Sequence, residues 1–105
     1  MKSLSEEDIR EACLKSGLPE YMHDGVVLYL KHGIMTGSFL TAVFSNDLTG
    51  AFGAADSDNR ASLYNWASFL YNECPATAYG SPAIVAEWKR QRRASTEATQ
   101  QETAQ

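Results

Sequence analysis

The chain has 105 residues, of which 44% are hydrophobic, 10% aromatic and 21% charged, with a formal net charge of −4. That balance excludes a disordered protein, favours one domain over two, and argues against nucleic acid as a partner, since phosphate attraction rests on clustered Lys and Arg. The longest apolar stretches fall far short of the ~20 residues that cross a bilayer, and the polar Ser5 to Asp8 leaves no place for an apolar signal segment. The expectation is a protein without membrane contact, in a reducing cytoplasm that keeps Cys13 and Cys74 as thiols.

Ser5, with Asp8 three residues on, reads as an N-cap, and Leu4 and Ile9 stand where a hydrophobic staple would put them. The first helix runs through Ile9, Ala12 and Cys13 to a left-handed stop at Gly17. Pro19 is expected to open a second helix at the position where its missing N–H costs nothing. Met22, Val26, Tyr29 and Leu30 form the stripe of that helix, and Gly33 ends it.

Beyond Thr36-Gly37-Ser38, one helical face carries Leu40, Val43, Phe44, Leu48, Ala51, Phe52 and Ala55. Asn46-Asp47 divides it into two short helices, with Asp47 as the second cap. Asp56 to Asn59 is a run of turn and cap residues. It launches the strongest helix, with Leu63, Trp66, Ala67 and Leu70 on one face and Tyr64 and Tyr71 flanking. Pro75 forbids continuation. Ser81-Pro82 starts a last helix that turns Ile84, Val85 and Trp88 inward and its basic end outward. The expected fold class is all-α: a compact bundle of five or six short helices over residues 3–93, one domain, then a disordered polar tail over 94–105.

Catalysis needs convergent titratable groups, and no catalytic residue is assigned. His23 and His32 lie nine residues apart on one helix and face nearly opposite sides. No pair of cysteine pairs offers a zinc site, and no glycine-rich phosphate loop, paired-carboxylate pattern or H-E-x-x-H is present, so neither metal nor cofactor is expected. The candidate ligand site is the turn Thr36, Gly37 and Ser38, either a capped interhelical turn or an anion site, joined by the polar residues Asn46, Asp47, Asn59 and Arg60, which read either as polar locks between helices or as ligand contacts. Tyr71, Tyr79 and Trp88 surround the loop before the last helix, as an interface, a stacking pocket or plain core. Lys89, Arg90, Arg92 and Arg93 hold four of the nine positive charges and complement a helix end or meet an acidic partner.

The segments IMTGSFLTAVFSNDL, AADSDNRASLYNWASFLYNECP and YGSPAIVAEW resemble a family of small proteins encoded by tailed bacteriophages and prophages. The family pattern runs P-x-G-[GS]-F-L-x-A-V-L-x-N-D-L, then A-D-x-x-N, L-Y-N-x-x-P and W-G-S-P-x-x-V-x-x-W. The likeness covers residues 18–88, with Met35 where the family often has proline and Tyr79 where it often has tryptophan. It implies a virus-encoded accessory protein made in the host bacterial cytoplasm, with no activity attached to the family.

Three classes of function follow. The first is a non-catalytic binder that inhibits or sequesters a host factor and counters antiviral defence, the partner being a host protein or a small nucleotide-like signal. The second is a small nucleic-acid-binding regulator using the basic end, and the third a small enzyme. A homo-oligomer is expected, because long apolar side chains lie on more helical faces than one small core can bury.

Overall fold

Ser5 starts the first helix by accepting a hydrogen bond from the Asp8 N–H at 3.2 Å, and Glu6, Glu7 and Asp8 put negative charge on the positive end of its dipole. The computed structural model describes the backbone of residues 1–103 and the side-chain surroundings of residues 1–95. Its order is α1 (Glu6–Ser16), α2 (His23–His32), α3 (Ser38–Phe44), α4 (Leu48–Ala54), α5 (Ser57–Ala61), α6 (Leu63–Asn72) and α7 (Pro82–Thr103), with no strand among the described residues. The all-α bundle is therefore what forms, divided more finely than five or six helices. Ser62, at φ −104° and ψ 12°, separates α5 from α6 where one helix was expected.

Gly17 and Gly33 end α1 and α2 in the left-handed region, at φ 76° and 70°. Gly33 has a second reason to lack a side chain. A Cβ there would lie 2.8 Å from both the Arg92 Cβ and the Lys89 carbonyl oxygen, so α2 ends directly against α7. Pro19 does not open α2. It is extended, at ψ 134°, and caps a short 3-10 turn over Glu20–Met22 that His23 closes. The buried His23 explains the detour, because its Nε2 lies 3.0 Å from the Leu18 carbonyl and ties the turn back to the start of α2.

Asp47 caps α4 through the Gly50 N–H at 3.0 Å, and a Cβ at Gly50 would collide with that carboxylate. Asn46, left-handed at φ 62°, reverses the chain so that α3 and α4 pack chiefly on one another. Asp56 caps α5 through the Asn59 N–H at 2.8 Å, and Ser81 caps α7 through the Ile84 N–H at 3.2 Å.

The core is aromatic. Tyr29 and Phe44 rings lie 4.5 Å apart, and Trp66 meets Phe39 and Phe69 edge-on at 5.4 and 6.4 Å. The buried aromatic residues anchor their polar tips: the Trp66 indole donates to Asn59 Oδ1 at 3.1 Å, Trp88 to the Tyr29 carbonyl at 3.3 Å, and the Tyr29 hydroxyl to the Ala78 carbonyl at 2.6 Å. Phe39 and Phe69 join this core although they lie off the expected stripes.

Leu48 and Phe52 do the opposite. They share the period of the buried face of α3 and α4, yet remain 73% and 52% exposed, Leu48 at the groove beside α6 and Phe52 beneath the Arg60 guanidinium. Ala67 and Ile84 are likewise at the surface. Ala94 and Ser95 are exposed, and the remainder of the tail expected over 94–105 lies outside the residues whose surroundings are described.

Candidate functional site

The α3–α4 pair stands between two concavities, and four of the candidate ligand residues, Gly37, Ser38, Asn46 and Asp47, line one or the other. On one side Gly37, Ser38 and Asp47 share the rim of an open hollow of about 800 Å³ with Thr41 and Ser45. On the other side Asn46 and Asp47 close one end of a narrow groove against α6. Thr36, Gly37 and Ser38 are all exposed. Gly37 has φ 81° and nothing within 4 Å of where a Cβ would stand, so backbone conformation rather than space selects glycine there. The Thr41 hydroxyl donates to the Gly37 carbonyl at 2.7 Å and closes the first turn of α3.

Asn59 and Arg60 do not complete a polar site with this turn. Asn59 is buried and accepts from the Trp66 indole, which makes it a lock between α5 and α6. The Arg60 guanidinium lies 4.8 Å above the Phe52 ring and its Nη2 donates to the Ala55 carbonyl at 3.4 Å. Both side chains are held by their own neighbours, which is the physical reason the expected constellation separates.

The aromatic trio separates too. Tyr71 is 83% exposed on the outer face of α6, Tyr79 is half-buried against the core, and Trp88 is buried beneath the Arg92 guanidinium at 4.5 Å. Trp88 is therefore a core residue, and only Tyr71 offers an open face.

Tyr71 has companions outside that trio. Tyr64 lies one heptad before it, also 83% exposed, with exposed Ala67 between them and Leu48 across the groove. Between residues 33 and 72 the only charged side chains are Asp47, Asp56, Asp58 and Arg60, and α3, α4 and α6 carry none. This charge-free surface has the composition of an interface centre, where aromatics gather and charge is depleted. Counting charges segment by segment would have found it.

The groove beside α6 holds about 80 Å³. Its floor includes Val43 and the edge of Trp66, its walls Leu48, Leu63 and Leu70.

The titratable groups are spread out. Among the described residues no three His, Cys, Asp or Glu side chains gather as metal ligands. Burial pushes the Cys13 thiol up to about 12 and raises Cys74 as well, which makes both poor nucleophiles near neutrality. Asp56 accepts from the Tyr21 hydroxyl at 2.6 Å, and that bond holds its carboxyl below the usual range while pushing the Tyr21 phenol up to about 12. No helix among the described residues is long and apolar enough to cross a membrane. Comparison of the chain with protein-family models, with curated proteins and with solved structures finds no match.

Proposed function

We propose that this is a non-catalytic binding protein that holds a partner protein against the charge-free face of α3, α4 and α6. The observation that carries the reading is that face itself: Leu48, Phe52, Tyr64 and Tyr71 are more than half exposed on helices without a single charged residue. Exposed apolar residues scattered singly need no explanation, but Leu48 and Ala67 border one groove and Tyr64 and Tyr71 flank Ala67 on the same uncharged helix, which supports an interaction surface there. Combined with the resemblance to small proteins of tailed phages, the partner is a host factor that the protein inhibits or sequesters in the bacterial cytoplasm, to the benefit of the virus.

A second reading, a sponge for a nucleotide-type signal, draws on the hollow at Gly37 and Ser38. Small and hydroxylated side chains line it and leave room for a ligand of that size. The protein-binding reading is preferred because α3 has only seven residues and, among the described residues, no basic side chain lines that hollow to pair with phosphate while the Asp47 carboxylate does line it.

The test is expression in a bacterial strain with an active antiviral defence, challenged with a phage that the defence restricts. Wild type raises plaquing. Leu48→Asp and Tyr71→Glu, with unchanged melting temperature, return it to the restricted level. Full plaquing with both variants removes the face from the function. Loss of that effect together with a nucleotide that raises the melting temperature of the wild type shifts the assignment to the sponge.

A further inference from the structure

The groove between α4 and α6 differs from the rest of the charge-free face in having a shape and a single charge. Trp66, buried to 1% exposure, and Val43 give it an apolar floor, while Leu48, Leu63 and Leu70 wall it. Asp47 is its one charged lining residue among the described residues. The carboxylate is fixed there by its own capping role, since Oδ1 accepts from the Gly50 N–H at 3.0 Å and Gly50 has no Cβ to displace it. Asp47 is nonetheless exposed, so a second partner can reach it.

From this we infer that the groove is an anchor pocket for one branched aliphatic side chain of a partner protein, with a cationic group of the same partner segment paired to Asp47. The inference rests on the proposed protein-binding role and names the chemistry of the occupant. Two observations select it. The open groove offers about 80 Å³ lined mainly by aliphatic side chains, which matches one leucine-class side chain. Charge complementarity does the rest: a fixed carboxylate beside an otherwise uncharged groove favours a cation and repels an anion. Tyr64 and Tyr71 lie on the α6 bank, where they exclude water around such an anchor. The other conceivable occupant is a second copy of this chain, inserting its own exposed Leu48.

The full chain is titrated with three small probes at pH 6.5, followed by its backbone amide resonances. L-Leucinamide presents the isobutyl group beside a cation, N-acetyl-L-leucine presents it beside an anion, and glycinamide is a cation without it. Leucinamide shifts the amides of Asn46, Leu48 and Ala67 with a dissociation constant in the range of about 1–20 mM, as expected for so few atoms. The other two bind at least about tenfold more weakly, a difference the missing contact or the opposed charge supplies. Ala67→Phe, at an exposed position, fills the groove and abolishes the shifts. Asp47→Asn keeps a good capping residue and removes the preference for leucinamide over N-acetyl-leucine.

The proposal is overturned if leucinamide gives no saturable shift up to about 100 mM, if glycinamide or N-acetyl-leucine matches it, or if Ala67→Phe binds it as wild type does. It is also overturned if sedimentation shows a dimer that Leu48→Asp dissociates, because a second copy then fills the groove. Failure of the probes with loss of plaquing in Leu48→Asp sinks the pocket and leaves the protein-binding role standing. Leucinamide binding with full plaquing in Leu48→Asp does the reverse.

Discussion

Two halves of this small protein treat charge in opposite ways. In α1, six of eleven residues are charged, and they are largely spent on one another and on neighbours: Arg10 bridges Glu6 at 3.0 Å and Asp24 at 2.7 Å, and Lys15 reaches Glu73 at 3.5 Å. In α3, α4 and α6 there is no charge at all, and the exposed positions are Leu48, Phe52, Tyr64, Tyr71, two alanines and a few small or uncharged polar residues (Ser38, Thr41, Thr49, Gly53 and Asn72). Both halves contribute to the same core, so burial does not explain the difference. What the contrast teaches is that the solvated half is finished as a surface, whereas the charge-free half has the composition found at interface centres.

The largest effects belong to the core the halves share. Trp66→Ala, at a position with 1% exposure, is expected to cost ~3–5 kcal/mol in denaturant unfolding and to remove most of the stability of a domain this size. A fully folded Trp66→Ala protein would mean that α6 is rotated and its charge-free side is inside. Gly33→Ala attacks the charged half, where α2 meets α7. A side chain at φ 70° is strained, and the Lys89 carbonyl at 2.8 Å is backbone that cannot swing away. The expected loss is about 2–4 kcal/mol by the same measurement. Asn59→Ala comes third, at about 1–3 kcal/mol, because it leaves the buried Trp66 indole without an acceptor.

Local chemistry was legible in the sequence, and long-range completion was not. The caps at Ser5, Asp47, Asp56 and Ser81, and the stops at Gly17 and Gly33, depend on residues within a turn of each other, and each forms as read. Helical period placed Val26, Tyr29, Leu30, Leu40, Phe44 and Trp66 in the core. The same period assigned Leu48 and Phe52 to it wrongly, because a stripe says which residues share a face but not how far the covering helix extends. Pro19 was misread for a related reason: a proline at a helix start fits either the first helical position or the cap of a preceding turn, and the buried His23–Leu18 contact decides. The candidate site suffered most. Asn59 and Arg60 looked available only while their partners, Trp66 and Phe52, were unknown.

Surface variants sharpen the contrast from the other side. Leu48→Asp and Tyr71→Glu lie 73% and 83% exposed, so each is expected to change stability by less than ~0.5 kcal/mol. Against the partner, each is expected to weaken binding by about 2 kcal/mol or more if the face works as a hot spot, read as roughly a thirtyfold rise in Kd. Lys89→Glu and Arg93→Glu on the exposed basic edge of α7 serve as the matched controls and leave that affinity within about twofold. Equal losses from both sets would mean that charge steering, not the apolar face, holds the partner.

The smallest expected effect lies on the seam between the halves, at the hydrogen bond from the Tyr21 hydroxyl to Asp56. The bond holds the Asp56 carboxyl below its ordinary value and pushes the Tyr21 phenol up to about 12, in each case chiefly because it forms only with Asp56 ionised and Tyr21 protonated. The signs follow from linkage. Asp56, depressed in the folded state, lends stability above the ordinary carboxylate pKa of ~3.9 and loses it as pH falls through the folded value. Tyr21, raised, lends stability below the ordinary phenol pKa of ~10 and loses it as pH rises from there toward 12. The link is therefore complete between about pH 4 and pH 10, and solvent around both groups keeps its contribution small. Ultraviolet titration of the phenols separates it from the other tyrosines by comparison with Asp56→Asn. That variant retains a capping side chain for α5 but no charge, so one phenol should move from about 12 back toward 10 while the melting temperature at pH 7 barely changes. An unchanged phenol titration would mean that Tyr21 does not reach Asp56 in solution, and that the turn before α2 is joined to the charge-free half by packing alone.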